Sequence, residues 1–270
     1  MYHKIQETVT YLKAQTNIQP ETGIILGSGL GGMEDALESK TEIPYATIPN
    51  FPKSTVEGHA GKLIFGKMHG KAVVMMAGRF HYYEGYDMQT VTFPVRIMKA
   101  LGTTSLIVSN AAGGMNDGFQ IGDIMLIKDH INLFPEHPLR GPNDDRLGIR
   151  FPDMSAPYDP MLLEQAKAIA RAQNFTVREG IYVGLQGPTF ETRAEYKWLR
   201  IIGGDAVGMS TVPEVIVARH CGLKVFAASI ITDLGLPDMP VKITHQEVLE
   251  AAHKATPKLM FLISELVKKM

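Results

Sequence analysis

The residues with the most chemistry to offer stand in short clusters at the ends of apolar runs. Gly78-Arg79-Phe80-His81-Tyr82-Tyr83-Glu84-Gly85 is the densest of them. Arg79 carries a planar fork of donors that suits a phosphate group, a geometry that lysine lacks. His81 can give the same anion a hydrogen bond or a positive charge. Glu84 is spaced to orient such groups, and Tyr83 offers an aromatic face with a polar tip that suits a sugar. Residues 27–32 read Gly-Ser-Gly-Leu-Gly-Gly after another apolar run. Glycines there let backbone N–H groups converge on an anion, and Ser28 adds a hydroxyl.

Three later clusters complete the set. Residues 109–114, Ser-Asn-Ala-Ala-Gly-Gly, include Ala and Gly that let the main chain approach and hydrogen-bond a ligand directly. Residues 187–192 bring Phe190, able to stack on a flat ring, and Glu191, able to accept from its N–H groups. Residues 207–211 bring Val207, Met209 and Ser210, the last a hydroxyl just before a helical run. Taken singly, Phe190, Val207 and Met209 are ordinary core residues. Together the clusters describe a cleft with an anion pocket, an aromatic-lined region and one or two carboxylates. Phosphorolysis, hydrolysis and plain binding are all compatible with that description.

Gly27, Gly29 and Gly32 also satisfy, read literally, a dinucleotide-binding fingerprint. That motif expects an acidic residue closing a second strand about 20 positions on. Glu42 is the nearest, but Pro44, Pro49 and Pro52 follow it and suit a parallel strand poorly. An anion loop or a tight turn fits better.

The elements that must position these clusters alternate between strand and helix. Helical spacing is expected over 5–16, 88–101, 160–173 and 213–220. Pro94 either kinks the second of these or sits in its first turn. Strands are expected over 22–26, 62–65, 72–77, 105–108, 124–127, 179–185, 205–209 and 224–232. Thr192 with Glu195, and Thr244 with Glu247, are spaced as capping boxes that open helices. Residues 134–158 are rich in Pro, Asn and Asp without periodicity, a length of loop that tends to be functional or interfacial. No linker, repeat or low-complexity tract divides the chain. The expectation is one α/β domain over residues 1–270, a central mixed sheet flanked by helices, with the clusters converging at one end of the sheet.

Composition narrows the classes of function. Of 270 residues, 45% are apolar and 20% charged, enough to build a sizeable core. The formal net charge of −1 argues against nucleic acid or an anionic membrane as partner, so an anion must be caught locally. The single cysteine, Cys221, suits a reducing, cytoplasmic setting. No apolar run is long enough to span a bilayer, and residues 1–19 have no signal-peptide core.

The motifs, in order, resemble a known family. GSGLG (27–31), STVEGHAGKL (54–63), GRFHYYEG (78–85), SNAAGG (109–114), HPLRGPNDDRLGIRFPDMS (137–155), GPTFET (187–192) and DAVGMSTVPEV (205–215) are similar to the trimeric purine nucleoside phosphorylases. The resemblance runs from about residue 20 to the C-terminus. It implies the nucleoside phosphorylase fold, a cytoplasmic homotrimer, and phosphate-dependent cleavage of purine nucleosides in purine salvage. Inorganic phosphate would be a co-substrate, with no metal and no other cofactor. By position, Ser28, His59, Arg79, His81, the Ala111 backbone and Ser210 fall where the family holds phosphate, with Glu84 organising that pocket. Tyr83, Met209 and His245 fall at the ribose, and Phe151 where a neighbouring subunit closes the ribose pocket. Phe190, Glu191, Val207 and Asp233 fall at the base.

Position 233 departs from the pattern. Members acting on 6-oxopurines usually carry asparagine there, whereas methylthioadenosine phosphorylases carry aspartate, as this chain does. Glu191 and His245 nevertheless follow the 6-oxopurine pattern. One expectation is a protonated Asp233 that donates to purine N7 as (deoxy)inosine and (deoxy)guanosine are cleaved. The alternative is an ionised Asp233 that accepts from a 6-amino group and widens specificity to adenosine. Two readings of other classes compete. A nucleoside hydrolase would leave the anion pocket without a purpose. A nucleoside-binding sensor should have lost a catalytic position, and no such position is lost.

Overall fold

The computed structural model describes residues 1–27, 29, 31–53, 61–235 and 244–270. Its strands form where aliphatic and β-branched residues run together. They are β1 (Thr22–Ile25), β2 (Glu38–Pro44), β3 (Lys62–Met68), β4 (Lys71–Ala77), β5 (Ser105–Gly114), β6 (Ile124–Asn132), β7 (Arg178–Gly184), β8 (Ala206–Gly208) and β9 (Lys224–Leu234). β1 is buried along its whole length and β9 nearly so, the pattern of strands covered on both faces. The helices are α1 (Tyr2–Gln15), α2 (Met88–Val91), α3 (Phe93–Leu101), α4 (Pro160–Ala172), α5 (Arg193–Ile201), α6 (Val212–His220) and α7 (His245–Lys269). α4 packs with α7, while α1, α3 and α6 form a second set around the sheet. The mixed α/β architecture with flanking helices is the one expected. Among the described residues, no helix is long and apolar enough to cross a membrane.

Among the described residues, nine strands form one sheet, ordered β2-β3-β4-β1-β5-β8-β7-β6-β9, and β5 also pairs with β9. The path β5-β8-β7-β6-β9 therefore returns to β5, and half of the sheet closes on itself. β5 achieves this by changing neighbours. Its first residues, Ser105 to Val108, run parallel to β1, whereas Gly113 and Gly114 run antiparallel to β8. β9 stays alongside on the other edge throughout. Between Val108 and Gly113, β5 has left one partner and not yet met the next, so a gap opens in the sheet.

Several boundaries differ from the sequence expectation, each for a physical reason. β5 and β6 continue past their aliphatic cores, through Ser-Asn-Ala-Ala-Gly-Gly and Lys-Asp-His-Ile-Asn, because tertiary pairing with β9 and β7 outweighs weak strand propensity. The Ser109–Gly114 run is thus a strand, not a loop after one. The helix expected over 88–101 is interrupted at Thr92, and Pro94 sits in the first turn of α3, where its missing N–H costs nothing. β2 has no counterpart among the expected strands. It is a polar edge strand, antiparallel to β3 and ending at Pro44, with Glu42 accepting from Lys62 at 2.8 Å. Glu42 is thus an edge ion-pair residue, and the dinucleotide fingerprint loses its acidic partner. Residues 133–159 hold no helix or strand, as expected.

Gly27 lies two residues past the end of β1, where the chain presses on β5. A methyl group there would lie 2.7 Å from Asn110 Cα and 2.8 Å from the Ser109 carbonyl oxygen, both main-chain atoms. Gly27→Ala should force the two strands apart and cost about 1–3 kcal/mol. Chemical denaturation reads this directly, and an unchanged midpoint would show that the strands have room to spare.

Candidate functional site

The gap in the sheet is the floor of a cleft of about 490 Å³. Twelve of the sequence candidates line it: Arg79, His81, Tyr83, Glu84, Ala111, Phe190, Glu191, Val207, Met209, Ser210, Asp233 and His245. They arrive from six elements of the sheet and its flanking helices. Arg79 to Glu84 follow β4, Ala111 lies in β5, Phe190 and Glu191 follow β7, and Met209 and Ser210 follow β8. Asp233 is near the end of β9, and His245 opens α7 behind its Thr244–Glu247 capping box. Ser28 and His59 lie outside the described residues.

At one end of the cleft, alternation along the chain sorts the cluster after β4. Phe80 is buried among Tyr45, Phe51 and Tyr86, which turns Arg79 and His81 to the opposite side. Tyr45 donates to the Gly78 carbonyl at 2.8 Å and fixes the start of this stretch. The Arg79 guanidinium is only 1% exposed. It donates to the Ser109 carbonyl, to Thr211 Oγ1 at 3.2 Å and to Glu214 Oε1 at 3.4 Å. Its donor fork is therefore engaged with the protein as well as facing the cleft.

Glu84 Oε1 accepts from the His81 backbone N–H at 2.7 Å and lies 3.1 Å from His81 Nδ1. An ionised carboxylate only accepts, so Nδ1 carries the proton and the neutral ring presents Nε2 as an acceptor. Burial pushes His81 below the ordinary histidine range, opposed by Glu84. The Tyr83 ring stacks on His81 with centroids 4.7 Å apart, and burial pushes its phenol up to about 12.

The start of α6 supplies hydroxyls. The Val212 N–H donates to the Ser210 carbonyl at 2.7 Å, with Thr211 held at φ 70 and ψ −55. This is a γ-turn of the rare positive-φ kind, in a β-branched residue. It holds Ser210 Oγ 3.2 Å from Thr211 Oγ1 at the head of the helix, where N–H groups and the helix dipole favour an anion. Asn110 Nδ2 donates to the same Thr211 hydroxyl at 2.8 Å.

The other end is acidic. A register shift between β5 and β9 pairs Gly113 with Asp233 and leaves Thr232 as the extra residue, a bulge that re-aims the carboxylate. Thr232 Oγ1 donates to Asp233 Oδ1 at 2.9 Å. Burial raises the Asp233 carboxyl above its ordinary range, with Thr232 opposing. Burial also raises Glu191, and the nearby Asp233 charge adds to the effect. Between the two ends lie Val207, Met209, Phe190 and Ala111, an apolar middle. Phe151 is not in this cleft. It is 85% exposed and lines a second cavity with Arg150, His137 and Arg140, in the 134–158 loop.

Sequence reasoning missed Asn110, Thr211, Thr232 and Tyr196. The first three are small polar residues inside recognisable motifs, overlooked in favour of their neighbours. Tyr196 had no signal beyond its place one residue after the Thr192–Glu195 box.

The profile described as "Phosphorylase superfamily" matches residues 21–268. Purine nucleoside phosphorylase 1 of Geobacillus stearothermophilus is 52% identical over 268 residues, covering 98% of this chain and 97% of that protein. The purine nucleoside phosphorylase of Bos taurus is 51% identical over 273 residues, covering 98% and 94% respectively. The crystal structure of isoform 2 of purine nucleoside phosphorylase from Schistosoma mansoni, in complex with cytosine and ribose-1-phosphate, superposes with a TM-score of 0.96. It is 43% identical and covers 100% of this chain and 97% of that one.

The His81–Glu84 contact can be checked in solution. In an NMR titration, His81 should ionise below the ordinary histidine value of about 6.5. Glu84→Gln should lower the midpoint further, because the lost carboxylate favoured the cation. A midpoint that rises in the variant would contradict the contact.

Proposed function

We propose, from the premise that this chain belongs to the purine nucleoside phosphorylases of the phosphorylase superfamily, that it cleaves 6-oxopurine nucleosides with phosphate at this cleft. Inosine, guanosine and their 2′-deoxy forms yield the free base and (deoxy)ribose 1-phosphate. The observation that carries the reading is the polarity of one cavity, with an anion pocket at one end, two carboxylates at the other and an apolar middle between them.

Phosphate sits against Ser210, the Ala111 main chain, Arg79 and His81, and Ser28 and His59 belong to the same set by their motifs. His81 Nε2 accepts from the P–OH of monohydrogen phosphate, while Glu84 holds the ring. The ribose lies over Tyr83 and Met209, with His245 at the 5′-hydroxyl. The purine packs on Phe190 and Val207, and Glu191 accepts from N1–H. As the bond from C1′ to N9 breaks, its electron pair passes to the base and the sugar becomes cationic. A phosphate oxygen forms the new bond to C1′, and its charge stabilises that cation on the way. The proton on Asp233 moves to N7, leaving Asp233 ionised. Catalysis is positioning and electrostatic stabilisation, with no covalent intermediate on the protein. The reaction needs no cofactor beyond phosphate as co-substrate.

The exposed Phe151 belongs in the ribose pocket of a neighbouring copy, in a cytoplasmic homotrimer. Phe151→Ala should raise KM for inosine several-fold and leave the thermal midpoint of the chain unchanged. A KM equal to that of the unaltered enzyme would remove the residue from the pocket.

The principal test is purine release from inosine, guanosine and adenosine, each with and without phosphate. Phosphate-dependent release from the two oxopurine nucleosides supports the reading. Comparable release from adenosine would mean that an ionised Asp233 accepts the 6-amino group, and release without phosphate would mean hydrolysis. Asp233→Ala should lower kcat on inosine by about 10²–10⁴-fold, the worth of a positioned proton donor. Asp233→Asn still donates to N7 without titrating, so its activity should not fall with rising pH as that of the unaltered enzyme does once the raised carboxyl loses its proton.

A further inference from the structure

Thr211 has no direct part in phosphorolysis, yet three polar groups converge on its hydroxyl. The residue is fully buried and follows Ser210, which lines the cleft. Arg79 Nη1 donates to Thr211 Oγ1 at 3.2 Å, and Asn110 Nδ2 donates to it at 2.8 Å. Ser210 Oγ lies 3.2 Å from the same oxygen.

A hydroxyl has two lone pairs to fill and one proton to give. The two N–H donors fill both lone pairs of Thr211. Among these contacts its proton then has a single outlet, the oxygen of Ser210. Ser210 accepts there, and its own proton is left for the cleft. That direction is the one an anion requires. Monohydrogen phosphate has one proton, which His81 Nε2 takes, so every other group around it must donate.

The direction is set by Asn110. Arg79 can only donate, whatever its neighbours do. An amide turned the other way would present its oxygen to Thr211 and take the Thr211 proton. Ser210 would then donate to Thr211, and only its lone pairs would face the anion. With Nδ2 at Thr211, the order of donation runs outward, from the buried amide to the cleft. Asn110 is 2% exposed, so water does not stand in for the amide at this contact.

We propose that Thr211 is a positioning residue that fixes the direction of the Ser210 proton: it accepts from Arg79 and Asn110, donates to Ser210, and so holds Ser210 as a donor to phosphate. The proposal rests on the reading of Ser210 as part of the phosphate site. Tyr182 is the competing outlet for the Ser210 proton, since its oxygen already accepts from the Ser210 backbone N–H at 3.4 Å. A charged acceptor is the stronger one, so bound phosphate takes the proton in preference to a neutral phenol.

Thr211→Val keeps the branched shape and removes the hydroxyl. At saturating inosine, KM for phosphate should rise about tenfold, the worth of one hydrogen bond to a charged group. Turnover at saturating phosphate should change by less than about threefold, and Thr211→Ser should restore KM to a similar margin. Sulfate probes the direction, because at neutral pH it has no proton to give. Its inhibition constant against phosphate should rise by the same factor as KM. In a Ser210→Ala background, Thr211→Val should add less than about threefold.

An unchanged phosphate KM would overturn the proposal. So would a tenfold loss that persists without the Ser210 hydroxyl, because Thr211 would then act through Arg79. A raised phosphate KM beside an unmoved sulfate constant would overturn it as well, since Ser210 would be accepting from P–OH. Should Thr211→Val fail to fold, neutron diffraction of the unaltered enzyme with sulfate bound decides. A Thr211 deuteron aimed at Ser210 Oγ, with the Ser210 deuteron on sulfate, supports the proposal, and a Ser210 deuteron aimed at Thr211 refutes it. Cleavage of inosine by the unaltered enzyme without phosphate would instead refute the phosphorolysis reading beneath it.

Discussion

The whole site depends on β5 changing its neighbour partway along its length. A strand inside a sheet normally spends both edges on hydrogen bonds and has nothing left for a ligand. β5 keeps β9 on one edge but exchanges β1 for β8 on the other, and residues 109–112 span the interval. Ligand sites of open α/β sheets sit where neighbouring strands diverge, for the same reason. Here the divergence lies within a single strand. The main chain of Ala111 can meet a ligand because the sheet itself has parted around it.

Charge is handled differently at the two ends of the cleft. At the anion end, Arg79 is buried beside Glu214, at 3.4 Å, with side chains 1% and 3% exposed. A lone buried guanidinium would be costly, and the carboxylate offsets that cost while no ligand is present. It also means that an arriving anion meets a nearly neutral wall of N–H and O–H dipoles, with Ser210 and Thr211 prominent among them. Such preorganised dipoles need little rearrangement when charge arrives. At the base end the protein instead buries two carboxyl groups near each other, and burial raises both above their ordinary range.

Much of this was legible in the sequence because the elements are locally consistent. The aliphatic runs of β1, β4 and the first half of β5 announce themselves, as do the two capping boxes that open α5 and α7. The polar clusters after those runs led directly to the cleft. What escaped was set by tertiary pairing. Ala and Gly in the second half of β5 have no strand preference of their own, and only β9 makes them a strand. β2 reads as a polar loop because it is an edge. The bulge at Thr232 is invisible in sequence, since it exists only relative to β5, and Tyr196 gains its place from glycines at 113 and 235, distant along the chain. Phe151, which the motif assigns to the ribose pocket of a neighbouring subunit, lies outside the cleft of its own chain.

The slot that Gly235 leaves for the buried Tyr196 ring also constrains history. A tyrosine at 196 cannot be accommodated while residue 235 bears any side chain, since even a methyl group would occupy the space of the ring. The glycine must therefore be in place before the tyrosine, or arrive with it. Once the ring is seated, reverting residue 235 is blocked for the same reason. The two positions, far apart along the chain, are therefore coupled by steric exclusion alone, and in this packing what stands at one limits what can stand at the other.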